Sequence, residues 1–152
     1  MLIVIERSVI KLLKEKVETN KYTDFTAEHI KKYLDEFRKL ILKGNYSISI
    51  NKNRRENTDF IETYKIDTKK EREIFFSLQY DDFCYAVDNE KEAYSNERLY
   101  IFCKEYELDY WGTTEYIEIY IKTNILQTRR GDDFLIVISF HKRNKPVQYR
   151  FK

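Results

Sequence analysis

The stretch from Glu115 to Ile125 constrains the fold most, because Ile117, Ile119, Ile121, Thr123 and Ile125 occupy every second position. In a β-strand successive side chains point to opposite faces, so these residues line one surface, and Tyr116, Glu118, Tyr120, Lys122 and Asn124 line the other. A helix would scatter both sets around its axis, so the segment is a half-buried strand. A second run, Phe134 to Phe140, is apolar on both faces and is predicted to be the central, covered strand, ending in Ser139-Phe140-His141-Lys142. Paired side by side, the two strands gather a phenol, an ammonium, an amide and an imidazole on one sheet face. Those groups suit metal-free phosphoryl chemistry on RNA. The plain alternative is a polar face that meets only solvent.

Upstream the period is helical. Val9, Ile10, Leu12, Leu13 and Val17 predict one helix, and Ile30, Tyr33, Leu34, Phe37, Leu40 and Ile41 a second, which starts near Thr26 and stops at Lys43-Gly44. Tyr46, Ile48 and Ile50 alternate as a short strand, and the polar, basic stretch Asn51 to Asn57 follows. Phe60, Ile61 and Tyr64 mark a third helix. A fourth opens at Asp67-Thr68, where Thr68 and Glu71 have capping-box spacing. Asp81 to Val87 reads as a short helix or turn. Beyond Asn89 the period becomes two: a strand through Leu99, Ile101 and Cys103, a connection from Asp109 to Thr114, the two strands above, and a last short strand at Tyr149-Phe151. Helices first and strands later, joined by short hairpin links, predict an α+β domain with N-terminal helices packed on a C-terminal twisted antiparallel sheet.

No linker, repeat or low-complexity stretch divides the 152 residues, so a single domain spanning 1–152 is expected. With 28 Lys and Arg against 26 Asp and Glu, bulk charge says nothing about partners. Its distribution says more. Acids dominate from Tyr85 to Glu118, whereas Lys122, Arg129, Arg130, Lys142, Arg143, Lys145, Arg150 and Lys152 follow, opposed only by Asp132 and Asp133. That inversion is a footprint for a polyanion or an acidic protein surface, or else simply for solubility. Cys84 and Cys103 lie in apolar segments and read as buried thiols of a cytoplasmic protein. The opening Met1-Leu2-Ile3-Val4-Ile5 is too short for a signal-peptide core, and no run reaches ~20 apolar residues, so no membrane association is expected.

Several chemistries lack parts. The chain has no Gly-rich phosphate loop and no cysteine pair at metal spacing, and His29 and His141 are its only histidines. No metal and no cofactor is expected. Asp81-Asp82 read better as helix caps than as ligands.

Four segments in order carry a family resemblance. Phe37-Arg38-Lys39-Leu40-Ile41-Leu42-Lys43-Gly44 precedes Ile74-Phe75-Phe76-Ser77-Leu78 with Asp82-Phe83-Cys84-Tyr85; Ile119-Tyr120-Ile121-Lys122 and Leu135-Ile136-Val137-Ile138-Ser139-Phe140 come later. This succession resembles the MqsR family of bacterial toxin ribonucleases, a branch of the RelE-like fold, over residues 37 to 142. The resemblance implies a toxin-like core over 37–152, an additional N-terminal helical segment over 1–36, and a metal-independent endoribonuclease. Such a toxin acts on mRNA and is neutralised by an antitoxin protein. It also implies that Tyr120 is the catalytic tyrosine. The family's lysine after Ser-Phe falls on His141, with Lys142 beside it, and the lysine of its Asp-Phe-Tyr-Lys motif falls on Tyr85. The glutamine of the family's Trp-Gln-Asp-Val-Tyr motif has no counterpart near Arg98-Leu99-Tyr100.

Histidine titrates near neutrality, so His141 suits acid-base work better than a lysine does. The candidate catalytic set is therefore Tyr120, Lys122, His141 and Tyr85, with Arg129, Arg130, Lys142, Arg143 and Asn124 meeting RNA. The same face admits a second reading, a non-catalytic RNA- or protein-binding factor on the same fold, encoded by a phage or mobile element and blocking a host nucleoprotein. In that reading Tyr116, Tyr120, Tyr100 or Phe102 stack on unpaired bases or anchor a protein.

Overall fold

The computed structural model describes residues 20–89 and 97–152. The helix expected through Val9 to Val17 lies outside these residues. In chain order the elements are β1 (Lys21–Tyr22), α1 (Ala27–Lys43), β2 (Tyr46–Ile48), α2 (Arg55–Thr63), α3 (Thr68–Phe76), β3 (Phe83–Asp88), β4 (Arg98–Tyr110), β5 (Thr113–Gln127) and β6 (Asp133–Lys142). They form an α+β fold with the helices ahead of the long strands.

Helix α1 follows from its sequence at both ends. Thr26 is extended, and its hydroxyl accepts the His29 amide at 3.1 Å, satisfying one of the orphan donors of the first turn. Ile30, Leu34, Phe37, Leu40 and Ile41 recur along one side, and all are buried. The helix stops where Gly44 turns left-handed at φ 73, so that its amide and that of Asn45 return to the Ile41 and Leu40 carbonyls. Gly44→Ala has room for its methyl, the nearest atom being Arg72 Nη2 at 3.8 Å, so its cost is conformational. The expected loss is ~1 kcal/mol in urea unfolding, with an unchanged fold.

The sheet order is β1-β3-β4-β5-β6-β2. The pairings β1–β3, β3–β4, β4–β5 and β5–β6 are antiparallel, whereas β2 runs parallel to β6 with Tyr46 opposite Leu135. The central strands are therefore β4 and β5, and β6 lies next to the edge, displacing the expectation that it is the middle of the sheet.

Four further expectations shift. Asp81 to Val87 is not helical. Its aspartates end a single 3-10 turn (Tyr80–Asp82), and the β-prone Phe83, Tyr85 and Val87 continue as β3. The expected connection from Asp109 to Thr114 shrinks to Trp111-Gly112, both at positive φ (52 and 86), the backbone of a tight two-residue hairpin turn. Asp67, not Thr68, caps α3, its carboxylate accepting the Lys70 amide at 2.8 Å, while Glu71 accepts from the Tyr46 hydroxyl at 2.6 Å. Tyr149-Phe151 makes no strand.

The helices cover one sheet face. Ile117, Ile119, Ile121 and Thr123 point into that core, as their alternation requires, with Phe102, Leu135, Val137 and Phe140 beside them. Phe140 sits 5.0 Å from Phe75 and 5.2 Å from Phe60, ring centre to ring centre, which seats α3 and α2 on β6. Tyr100 and Phe102, expected on the surface, belong here too. Phe102 is fully buried and Tyr100 stacks on Tyr33 at 4.0 Å. No helix among the described residues is long and apolar enough to cross a membrane.

Candidate functional site

The opposite face of the sheet carries the polar alternation. Register sets Tyr120 across from Cys103 on one side and His141 on the other, and sets Lys122 across from Ile101 and Ser139. A bulge in β6 makes this possible: Lys122 pairs with Ser139, but Thr123 pairs with Val137, leaving Ile138 extra. Were β6 to continue regularly through Ile138, His141 would turn over to the helical side. The buried side chain of Asn57, in the first turns of α2, fills the gap. Its Nδ2 donates to the Ile138 carbonyl at 2.9 Å and the Ser49 carbonyl at 2.8 Å, and its Oδ1 accepts the Phe140 amide at 2.9 Å.

Tyr120 and His141 stack, with ring centres 5.4 Å apart and planes 20° from parallel. His141 Nδ1 lies 2.8 Å from the Lys142 carbonyl, which only accepts, so Nδ1 carries a proton. Nε2 faces Glu56 Oε2 at 3.3 Å. That carboxylate is mostly exposed, so another oxygen can take its place. Lys145 Nζ sits 5.3 Å over the Tyr120 ring, and Lys21 Nζ 4.6 Å over the Tyr85 ring.

Tyr120 is only 3% exposed, in a cluster with Cys84, Tyr85, Ile101 and Cys103 against which Val147 and Tyr149 pack. Burial pushes its hydroxyl well above the ordinary tyrosine range, neighbouring Tyr85, Cys84 and Cys103 add to that, and Arg54 pulls the other way. Tyr120 therefore holds its proton: it can donate a hydrogen bond but is no base near neutral pH. Tyr85 is raised by burial as well, and its hydroxyl is closed to solvent without a hydrogen-bond partner.

The same burial makes a stability prediction. The Cys84 thiol is pushed from 9.0 up to about 12, chiefly by desolvation. A group raised on folding contributes stability that is fully present below its unfolded value and is lost as pH rises through the folded one. The melting temperature should thus hold level from neutral pH to about 9 and fall steeply toward 12, Tyr120 and Tyr149 steepening the loss. A flat profile across that window would contradict buried thiols and phenols.

Of the other expected RNA contacts, Arg143 lies beside the cluster near Cys103 and Tyr149, and the rest are set apart from it. Arg129 and Arg130 are exposed in the β5–β6 turn, and at ~3.3 Å per residue the strand's end at Gln127 lies about 23 Å along from Tyr120. Arg143 is ion-paired with Glu118, and Asn124 is buried, donating to Glu97 at 2.7 Å. Lys142 is exposed, but alternation turns it to the helical side, away from His141. Conversely, Lys21, Arg54, Glu56 and Lys145 enter the site unforeseen. Glu56 and Arg54 come from a stretch read only as polar and basic, and Lys21 arrives through β1, whose two residues show no alternation to read.

No protein family, no curated protein and no solved structure matches this chain.

Proposed function

We propose that the chain is a metal-independent endoribonuclease of the toxin kind, cleaving RNA at the Tyr120–His141 face. One observation carries the reading. The β5–β6 register stacks His141 on Tyr120, with Lys122 two residues along on the same surface. In the reaction this supports, the RNA 2′-oxygen attacks the adjacent phosphorus and the P–O5′ bond breaks, leaving a 2′,3′-cyclic phosphate and a 5′-hydroxyl. A phosphate entering at Nε2 displaces Glu56, and His141 then takes the proton off the 2′-hydroxyl at Nε2 and returns it to the departing 5′-oxygen. Lys122, on the same surface, supplies the cation that opposes the extra negative charge of the phosphorane. Tyr120, keeping its proton, fixes the imidazole plane and donates a hydrogen bond. The acidic surface of an antitoxin is the protein partner such a basic site takes.

The 3% exposure of Tyr120 favours a second reading, in which the face binds RNA or a host nucleoprotein without cutting. One assay separates the two. Purified protein is incubated with a structured RNA in excess EDTA, and products and complexes are resolved on parallel denaturing and native gels. Cyclic-phosphate-ended fragments are expected. A retarded complex with intact RNA selects RNA binding without cleavage, and neither product nor complex removes both RNA readings and leaves a protein as the target.

A further inference from the structure

Asn144 to Lys152 forms neither strand nor helix, yet it lies across the polar sheet face. Val147 and Tyr149 pack on the Tyr85–Tyr120 cluster. Lys145 reaches over Tyr120, and Asn144 Nδ2 holds Glu56 at 2.9 Å, keeping that carboxylate on His141. Phe151 anchors the end of the segment against the main core, its ring centre 5.7 Å from that of Tyr80 and 6.4 Å from that of Phe83, and few backbone bonds hold the rest. The Arg150 amide donates to the Phe83 carbonyl at 3.0 Å and its Nε to the Thr23 carbonyl at 2.8 Å, while Lys152 Nζ meets Asp82 at 3.2 Å. The cluster the segment covers includes Tyr85, whose hydroxyl is buried without a hydrogen-bond partner. Closing over a polar group without bonding it costs free energy, which opening returns. A segment with scant backbone bonding over an unsatisfied group opens ahead of the rest of the fold.

We infer that Asn144–Lys152 is an autoinhibitory strap, which must lift before RNA reaches Tyr85, Tyr120 and the Nε2 side of His141. The inference rests on the RNA reading above. Lifting the strap exposes two proton-holding phenols to donate to phosphate oxygens, and it releases Glu56 from His141. The closed arrangement thus hides the groups that the chemistry calls for.

The test is the double variant Val147→Ala/Tyr149→Ala in the full chain, which loosens the strap and keeps every charge. Its first readout is independent of RNA: the rate at which a thiol-disulfide exchange reagent modifies native Cys84 and Cys103, both fully buried in the closed form. That rate is expected to rise about tenfold, and RNA cleavage in EDTA, or RNA retention, several-fold. A cooperative thermal transition verifies folding, and Lys152→Gln serves as a milder second opening variant. Unchanged thiol rates in folded variants overturn the strap. Faster thiols with weaker RNA activity also overturn it, since the segment then belongs to the working site. Faster thiols with no RNA activity in any form leave the strap standing and remove the RNA reading.

Discussion

His141→Ala should lower RNA cleavage by ~10²- to 10⁴-fold, the range a positioned acid or base contributes. The imidazole is held in three ways: stacked on Tyr120, bonded through Nδ1 to the Lys142 carbonyl, and paired through Nε2 with Glu56. Alanine removes all three contacts at an intermediate-burial strand position, so the fold should lose no more than ~1 kcal/mol, and the two effects separate cleanly. His141→Gln keeps hydrogen-bonding capacity but cannot shuttle a proton near neutrality, and it should fail as completely as alanine. Lys142→Ala, on the other sheet face, should cut at close to the wild-type rate. Single-turnover cleavage of one RNA by all four proteins checks this. Equal rates for wild type and His141→Ala would remove the catalytic reading whatever the other variants do.

The largest stability effect is expected from Asn57→Ala. The side chain is fully buried and makes three hydrogen bonds, to the Ser49 and Ile138 carbonyls and the Phe140 amide. Its loss leaves those backbone groups inside the protein without partners. At ~1–3 kcal/mol for each, partly relieved by relaxation, the expected loss is about 3–4 kcal/mol. For a chain of this length that lowers the melting temperature by about 6–15 °C. Asn57→Asp keeps the acceptor for Phe140 but sets a carboxylate against two carbonyls, so it should be no better. A loss below ~1 kcal/mol in urea unfolding would mean that the bulge stands without Asn57. Because this bulge keeps His141 on the Tyr120 side, the variant should also lose cleavage beyond what partial unfolding explains.

These two residues show how legible the chain was. Tyr120 and Lys122 were legible because strand alternation is local and parity alone sets them on one face of β5, whereas His141 joins that face only through the bulge at Ile138, which reverses the parity of β6 and shows in no local pattern. Helix α1 was equally legible, with Thr26, Gly44 and the apolar stripe all in one stretch. Asn57 gave no such signal. Its importance comes from β6, far along the chain, and in sequence it was one polar residue in a polar run. The parallel β2–β6 pair was hidden for the same reason, since no hairpin announces it. The burial of Tyr120 also escaped notice, because its cover is an irregular segment whose Val147 and Tyr149 follow no period.

The sheet order also has a consequence for biosynthesis. β2 is made before β6, its one strand neighbour among the described residues, which lies some ninety positions later in the register that joins Tyr46 to Leu135. Until that partner emerges from the ribosome, residues 46–48 are an unpaired edge and His141 does not yet exist. Pairings this distant in sequence close slowly, because the chain between them must first be ordered. The face bearing Tyr120 and His141 is thus completed only once β6 has left the ribosome and paired with β5.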